Sequence, residues 1–404
     1  MFDIFPIKNG LENVAGFFCG GVNVGMKTNP ANSGTSDIDG DVAFIRSDVL
    51  CDISAVFTKN KFAAAPIKHF RRYPNDFQTN FLLINSKNAN AMTGDAGIKD
   101  IDSLFECLRD KLPTIKNPVM SSTGVIGYRL DTKKIATAFE KFDFNAKNSD
   151  ATSRAIMTTD KFKKEICFKV ELEDGTFFHI AAICKGAGMI NPAMATMLCF
   201  IITDANIPKS DMNELLGQSI EQSFNCISVD GDTSTNDTVF LLSSRLSNTY
   251  DKDAFAQALN RLTKHLALEI LKDGEGSNKV VAFEVNGAES QEDALKASKA
   301  LSNSLLVKTA LFGEDPNWGR IASTIGASQI ECDEEKLEIF YDDVLVYSKE
   351  RPTLDKTIEE AANKVMKQES FKITCKLNLG DFSAINYGCD LSYEYVKINA
   401  DYRT

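Results

Sequence analysis

The stretch that most limits the fold is EICFKVELEDGTFFHIAAIC, residues 165–184. Two strand-like apolar runs flank Glu173-Asp174-Gly175, a strong hairpin signal. Strands joined in this way argue against a purely parallel, dinucleotide-type sheet. Further buried strands are expected in TMLCFIITDA (196–205) and VVAFEVNGA (280–288). Helical spacing appears between them. DIDSLFECLRDKL (100–112) puts Ile101, Leu104, Phe105 and Leu108 on one face. Residues 252–274 form a long amphipathic pattern ending at Gly274, and 290–313 and 355–368 form two more. Paired strands with interspersed helices predict a mixed α/β or α+β protein. No linker rich in Pro, Gly or Ser marks a domain boundary.

Composition narrows the function classes. A chain of 404 residues builds one large domain or two to three average ones. Its net charge of -11 argues against nucleic acid or an anionic membrane as partner. The N-terminus lacks the basic start and apolar run of a secretory signal. The most apolar run, TMLCFII, is far too short to span a bilayer. Ten cysteines are scattered without a CxxC, which reads as reduced core thiols and a cytoplasmic protein. His69, His179 and His265 are the only histidines, and none has metal-ligand spacing, so no metal is expected.

The chemistry centres on KGAGMINPAMATMLCF, residues 185–200. GAGMIN lacks the third glycine of a dinucleotide loop, Asn191 standing in its place, and no phosphate-loop or GxSxG pattern occurs. One hydroxyl, Thr196, sits between small residues at the start of a buried strand. By pattern alone it is a strand-edge threonine. The functional reading needs a base, and histidine is scarce. A cut between Ala195 and Thr196 would supply one, because an α-amine of pKa about 8 would then adjoin Oγ. In NPVMSSTGVIGYRL, Thr123-Gly124 is either an ordinary turn or an oxyanion hole. Glu275 in DGEGSNK is either a solvated turn acid or a contact for an ammonium group. GDTSTNDT and GEDPNWGR are polar loops of no evident role, and the tail VKINADYRT reads as strand-like and then polar.

Together these pieces resemble the ornithine acetyltransferase family, also called glutamate N-acetyltransferase. The shared motifs run nearly end to end: VFTKNKFAAAPI, NSKNANAMTG, SSTGVIG, AIMTTD, KGAGMINPAMATML, DGDTSTNDT, DGEGSNK, GEDPNWGRI and INADYRT. The resemblance implies one catalytic unit over 1–404, with an αββα-type sandwich core of the aminopeptidase-like kind and a smaller α/β C-terminal part. It implies self-cleavage into 1–195 and 196–404, with Thr196 as the acetyl-carrying nucleophile. Thr123 and Gly124 become the oxyanion pair. Thr159, Lys185, Thr196, Glu275, Asn399 and Thr404 become substrate contacts, Thr159 being chosen over the adjacent Thr158.

The activity so implied is transfer of an acetyl group from N2-acetyl-L-ornithine to L-glutamate, with no resident cofactor. Acetyl-CoA stays open as a second donor. A heterotetramer of two chains of each kind is implied. An N-terminal-nucleophile amidase or aminopeptidase is the alternative, and an uncut amino-acid-binding protein is a second. The sequence departs from the family at Lys87, where glycine is frequent, and at Ser277-Asn278, where Ala-Thr is usual.

Overall fold

The computed structural model describes residues 1–26, 40–191 and 197–401. The strands, in chain order, are β1 (Phe2–Pro6), β2 (Phe17–Val22), β3 (Val42–Phe57), β4 (Gln78–Asn85), β5 (Val119–Ser122), β6 (Lys164–Leu172), β7 (Phe177–Lys185) and β8 (Leu198–Thr203). Then follow β9 (Ile227–Ser228), β10 (Thr238–Ser243), β11 (Val280–Ala288), β12 (Glu338–Tyr341), β13 (Val344–Tyr347), β14 (Ser370–Lys376) and β15 (Phe382–Cys389). Among the described residues, nine strands form the main sheet in the order β1-β6-β7-β8-β10-β3-β4-β5, with β2 alongside β3.

The expected hairpin is β6–β7, in antiparallel register from Lys164↔Cys184 to Glu171↔Phe177. Gly175 takes φ +80° in its turn, and its N–H donates to the Leu172 carbonyl. The long strand β3 belongs to two parts of the sheet. Its first half pairs with β2 and β4, and its second half pairs with β10. Its register against β4 slips between Arg46 and Cys51, an irregularity of the kind that bends a strand.

Side-chain alternation then gives four layers. Ala43 and Ile45 of β3 and Leu82 and Ile84 of β4 meet Ala181, Ile183, Phe200 and Ile202 of β7 and β8 in an inner core. The opposite faces turn outward. Val170, Ile180, Cys199 and Leu241 pack on the helices Lys209–Glu221 and Lys252–Lys272. Phe44, Phe81, Leu83 and Met120 pack on the helices Gly94–Lys111 and Thr132–Lys141. The stripe Ile101, Leu104, Phe105 and Leu108 is the buried one. This is the αββα order.

A second sheet, β13-β12-β14-β11-β15-β9, forms the smaller C-terminal part. Val281, Phe283 and Val285 of β11 face its helices, and Val280 and Tyr387 lean on the core of the main sheet.

Two expectations need correction. Residues 290–313 are not one helix but two, Gln291–Asn303 and Leu305–Phe312. Ser304 adopts an extended conformation between them, and its Oγ caps the second by accepting from Val307 N–H. The tail is not strand-like: Tyr393–Asp401 is helical, with Asn399 Nδ2 donating to the Tyr395 carbonyl one turn earlier. Most cysteines are buried free thiols, but Cys107 and Cys332 are exposed. Burial pushes the Cys51 thiol up to about 12 and the Cys19 thiol to about 11, which keeps both unreactive. Among the described residues no helix is long and apolar enough to cross a membrane.

Candidate active site

One row across the main sheet positions the site. Lys185 ends β7 opposite Leu198, which begins β8, and Leu198 lies opposite Thr238, which begins β10. The Gly-rich turn that follows Lys185, the start of β8 and the GDTSTND loop therefore meet at one edge. β5 delivers Thr123 and Gly124 to the same edge. Asn236 fixes that meeting: its Nδ2 donates to the carbonyls of Ala89 at 2.6 Å and Ser122 at 2.7 Å.

These segments enclose a cavity of about 180 Å³. Thr123, Gly124, Thr159, Lys185, Glu275 and Asn399 all line it, and so does Thr158. Ala195, Thr196 and Thr404 lie outside the described residues. Lys185 Nζ donates to Thr123 Oγ1 at 3.3 Å, both side chains being buried. Gly124 has φ +130°, and a Cβ there would stand 2.2 Å from the Lys87 carbonyl carbon. No other residue fits that position without shifting backbone. Lys87 itself has φ 73°, a left-handed conformation that explains why glycine suits its place.

At the other end Glu275 is buried, and its Oε2 accepts from Asn399 Nδ2 at 2.8 Å. Gly188 makes room for that carboxylate, since a Cβ there would fall 2.5 Å from Glu275 Cδ. Asn278, the unusual residue of DGEGSNK, donates from its backbone and side chain to Asp390 at 2.7 and 2.9 Å. That departure braces the loop and stays out of the cavity lining.

A buried ion cluster backs the cavity. Lys164 Nζ lies 2.8 Å from Asp160 Oδ1 and 2.5 Å from Asp273 Oδ2, with all three side chains sealed from solvent. Asp160 also accepts the N–H of Gly186 at 2.7 Å and of Thr158 at 3.0 Å. Burial alone would raise the Asp160 pKa, but the charges of Lys164 and Lys185 and these hydrogen bonds hold it far below the usual carboxylate range. Asp273 is pushed up, since burial outweighs its single lysine. Asp230 shapes the Gly-rich turn by accepting from Met189 N–H at 2.6 Å and Ile190 N–H at 2.9 Å, and burial raises its pKa. Asp237 Oδ1 accepts from Met197 N–H at 3.0 Å, and burial holds this carboxyl well above its ordinary value.

The sequence matches the ArgJ family over residues 19–404. This chain belongs to the ArgJ family. The arginine biosynthesis bifunctional protein ArgJ of Wolinella succinogenes is 56% identical over 404 residues, covering 100% of both chains. The glutamate N-acetyltransferase of Methanocaldococcus jannaschii is 41% identical over 379 residues, covering 90% of this chain and 94% of that one. Among solved structures, the arginine biosynthesis bifunctional protein argJ of Bacillus halodurans is 38% identical, with a TM-score of 0.48. It covers 50% of this chain and 98% of its own.

Sequence reasoning about this ArgJ-family chain missed Asp160, Lys164, Asp230, Asn236, Asp237 and Asp273. Asp160 closes the quoted motif AIMTTD and Asp273 opens DGEGSNK, and three of the others stand in or beside GDTSTNDT. Their place in shared motifs was the signal; their partners, far away in sequence, were not readable from it.

Proposed function

We propose that this chain is a glutamate N-acetyltransferase that moves the acetyl group of N2-acetyl-L-ornithine to L-glutamate. The observation that carries this reading is convergence. Thr123 with Gly124, Thr159, Lys185, Glu275 and Asn399 come from five separate stretches and line one cavity. Membership of the ArgJ family, with relatives named for this activity, supports it.

In the proposed mechanism the chain cuts itself between Ala195 and Thr196, giving fragments 1–195 and 196–404, two of each per assembly. The freed α-amine takes the Thr196 hydroxyl proton as Oγ attacks the acetyl carbonyl. Thr123 O–H and Gly124 N–H hold the oxyanion. The C–N bond to ornithine breaks, and the proton leaves with its amine. The acetyl group stays on Thr196 as an ester until the amine of glutamate attacks it. Thr159, Lys185, Glu275, Asn399 and Thr404 hold the substrates, with Glu275 on an ammonium group. Acetyl-CoA stays open as a second donor, one that would load the same free Thr196 hydroxyl, and the cytoplasm is the proposed compartment.

The deciding test supplies N-acetylornithine with and without glutamate. Formation of N-acetylglutamate, with ornithine release stimulated by glutamate, is the expected result. Acetate released at an equal rate without glutamate would make the protein an amidase instead.

A further inference from the structure

Lys185 is placed to act on Thr123. Its side chain is buried at 3% exposure, and its Nζ donates to Thr123 Oγ1 at 3.3 Å. Two buried carboxyl groups already feel its charge, Asp160 and Asp237. Asp160 is held in place by Lys164 Nζ and by the N–H of Gly186, the residue that follows Lys185. The Lys185 backbone is fixed at the end of β7 by pairing with Leu198. An ammonium so anchored can act on Thr123 as well as contact a substrate from the cavity it lines.

A threonine hydroxyl has two acceptor lone pairs and a single hydrogen to donate. With an ammonium on one lone pair, that hydrogen must point elsewhere. A cationic donor on the oxygen also polarises the O–H and strengthens what it donates. The cavity is the open side, since both residues line it.

We infer that Lys185 is a positioning residue of the oxyanion hole, turning and polarising the Thr123 hydroxyl toward the oxyanion that forms on the acetyl carbonyl. No proton changes owner in this role: Lys185 keeps its three hydrogens and Thr123 keeps its own. The inference rests on the acetyl-transfer reading and gives one of its residues a task in the chemical step.

A double-mutant cycle on the purified, cleaved protein tests it, with transfer from N-acetylornithine to glutamate as the readout. The proteins are wild type, Lys185→Met, Thr123→Val and the double variant. Rates are normalised to the fraction cut, as seen by denaturing mass spectrometry. Lys185→Met is expected to lower kcat about 10- to 100-fold. Adding it to Thr123→Val is expected to cost less than about threefold more, because the two act as one unit. Losses that multiply would overturn the inference. So would an unchanged kcat with a raised KM, which is the signature of a substrate contact alone. Should Lys185→Met fail to fold, Lys185→Gln is read by the same two criteria. A wild-type protein that transfers no acetyl group would instead defeat the transferase reading itself, so the two failures are distinct.

Discussion

At the scale of single residues, the site depends on where a Cβ is absent and where a hydroxyl is aimed. Thr123→Ala is expected to slow acetyl transfer by roughly two orders of magnitude, as loss of one oxyanion donor does elsewhere. A near wild-type rate would remove Thr123 from that role. Gly188→Ala tests the opposite end. Its new Cβ would meet the Glu275 carboxyl at 2.5 Å and push it off its present seat. The expected outcome is a raised KM for the substrate carrying an ammonium group, with the melting temperature little changed; an unaltered KM would show that Glu275 is no contact. Thr123 and Glu275 drew notice in the sequence because glycines beside them announce a special backbone, and Lys185 because it opens the Gly-rich turn; the residues alone left their roles open, and the family resemblance supplied them. Asp160 and Asp273 were not, because what defines them is a shared lysine. Asp273 lies 109 residues along the chain from Lys164, and no local pattern marks that pairing.

At the scale of elements, buried charges and histidines hold pieces together. Lys164 joins the end of the helix Lys252–Lys272, through Asp273, to the loop carrying Thr158 and Thr159. Lys164→Met would leave two buried carboxylates without their cation, a change that destabilises by about 3–5 kcal/mol. Thermal unfolding of the variant checks it, and an unchanged melting temperature would show that the cluster carries no stability.

His69 latches the helix Ala65–Phe70 to the helix Gly94–Lys111. Its Nε2 lies 3.1 Å from Asp102, while its buried Nδ1 has no partner among the described residues. Burial lowers its pKa below the ordinary 6.5, against the pull of Asp102. Below that pH the unfolded chain takes up a proton that the folded one resists. The contribution of His69 is therefore complete above about pH 6.5 and is lost progressively as the pH falls. His69→Gln is expected to lose less stability than wild type between about pH 7 and pH 5; an identical acid limb would contradict this. Elements themselves were read unevenly. The stripe of residues 100–112 and the hairpin at Gly175 carried strong periodicity and strong turn chemistry. Residues 290–313 kept helical spacing across Ser304, so the break was invisible until its capping hydroxyl was seen. The alternating Val396 and Ile398 suggested a strand, yet the segment is a helix tied to Glu275 through Asn399.

At the scale of the molecule, hairpins mixed with helices gave a mixed α/β or α+β class, and the family resemblance narrowed it to the αββα sandwich. The closing of one sheet on itself was not legible in the residues, because it turns on an irregularity inside β3 that sequence spacing does not reveal. The cavity stands where the edges of that folded sheet meet the C-terminal helix, so it draws on both proposed fragments: Thr123, Thr159 and Lys185 precede the proposed cut, and Glu275 and Asn399 follow it. The central claim is that Thr196 becomes a chain terminus that carries acetyl. The most direct measurement is the denaturing mass spectrum of the protein after brief exposure to N-acetylornithine without glutamate. Two fragments, 1–195 and 196–404, with one acetyl group on the second that disappears when glutamate is added, are expected. A single intact chain, or two fragments that never gain an acetyl group, would contradict the account.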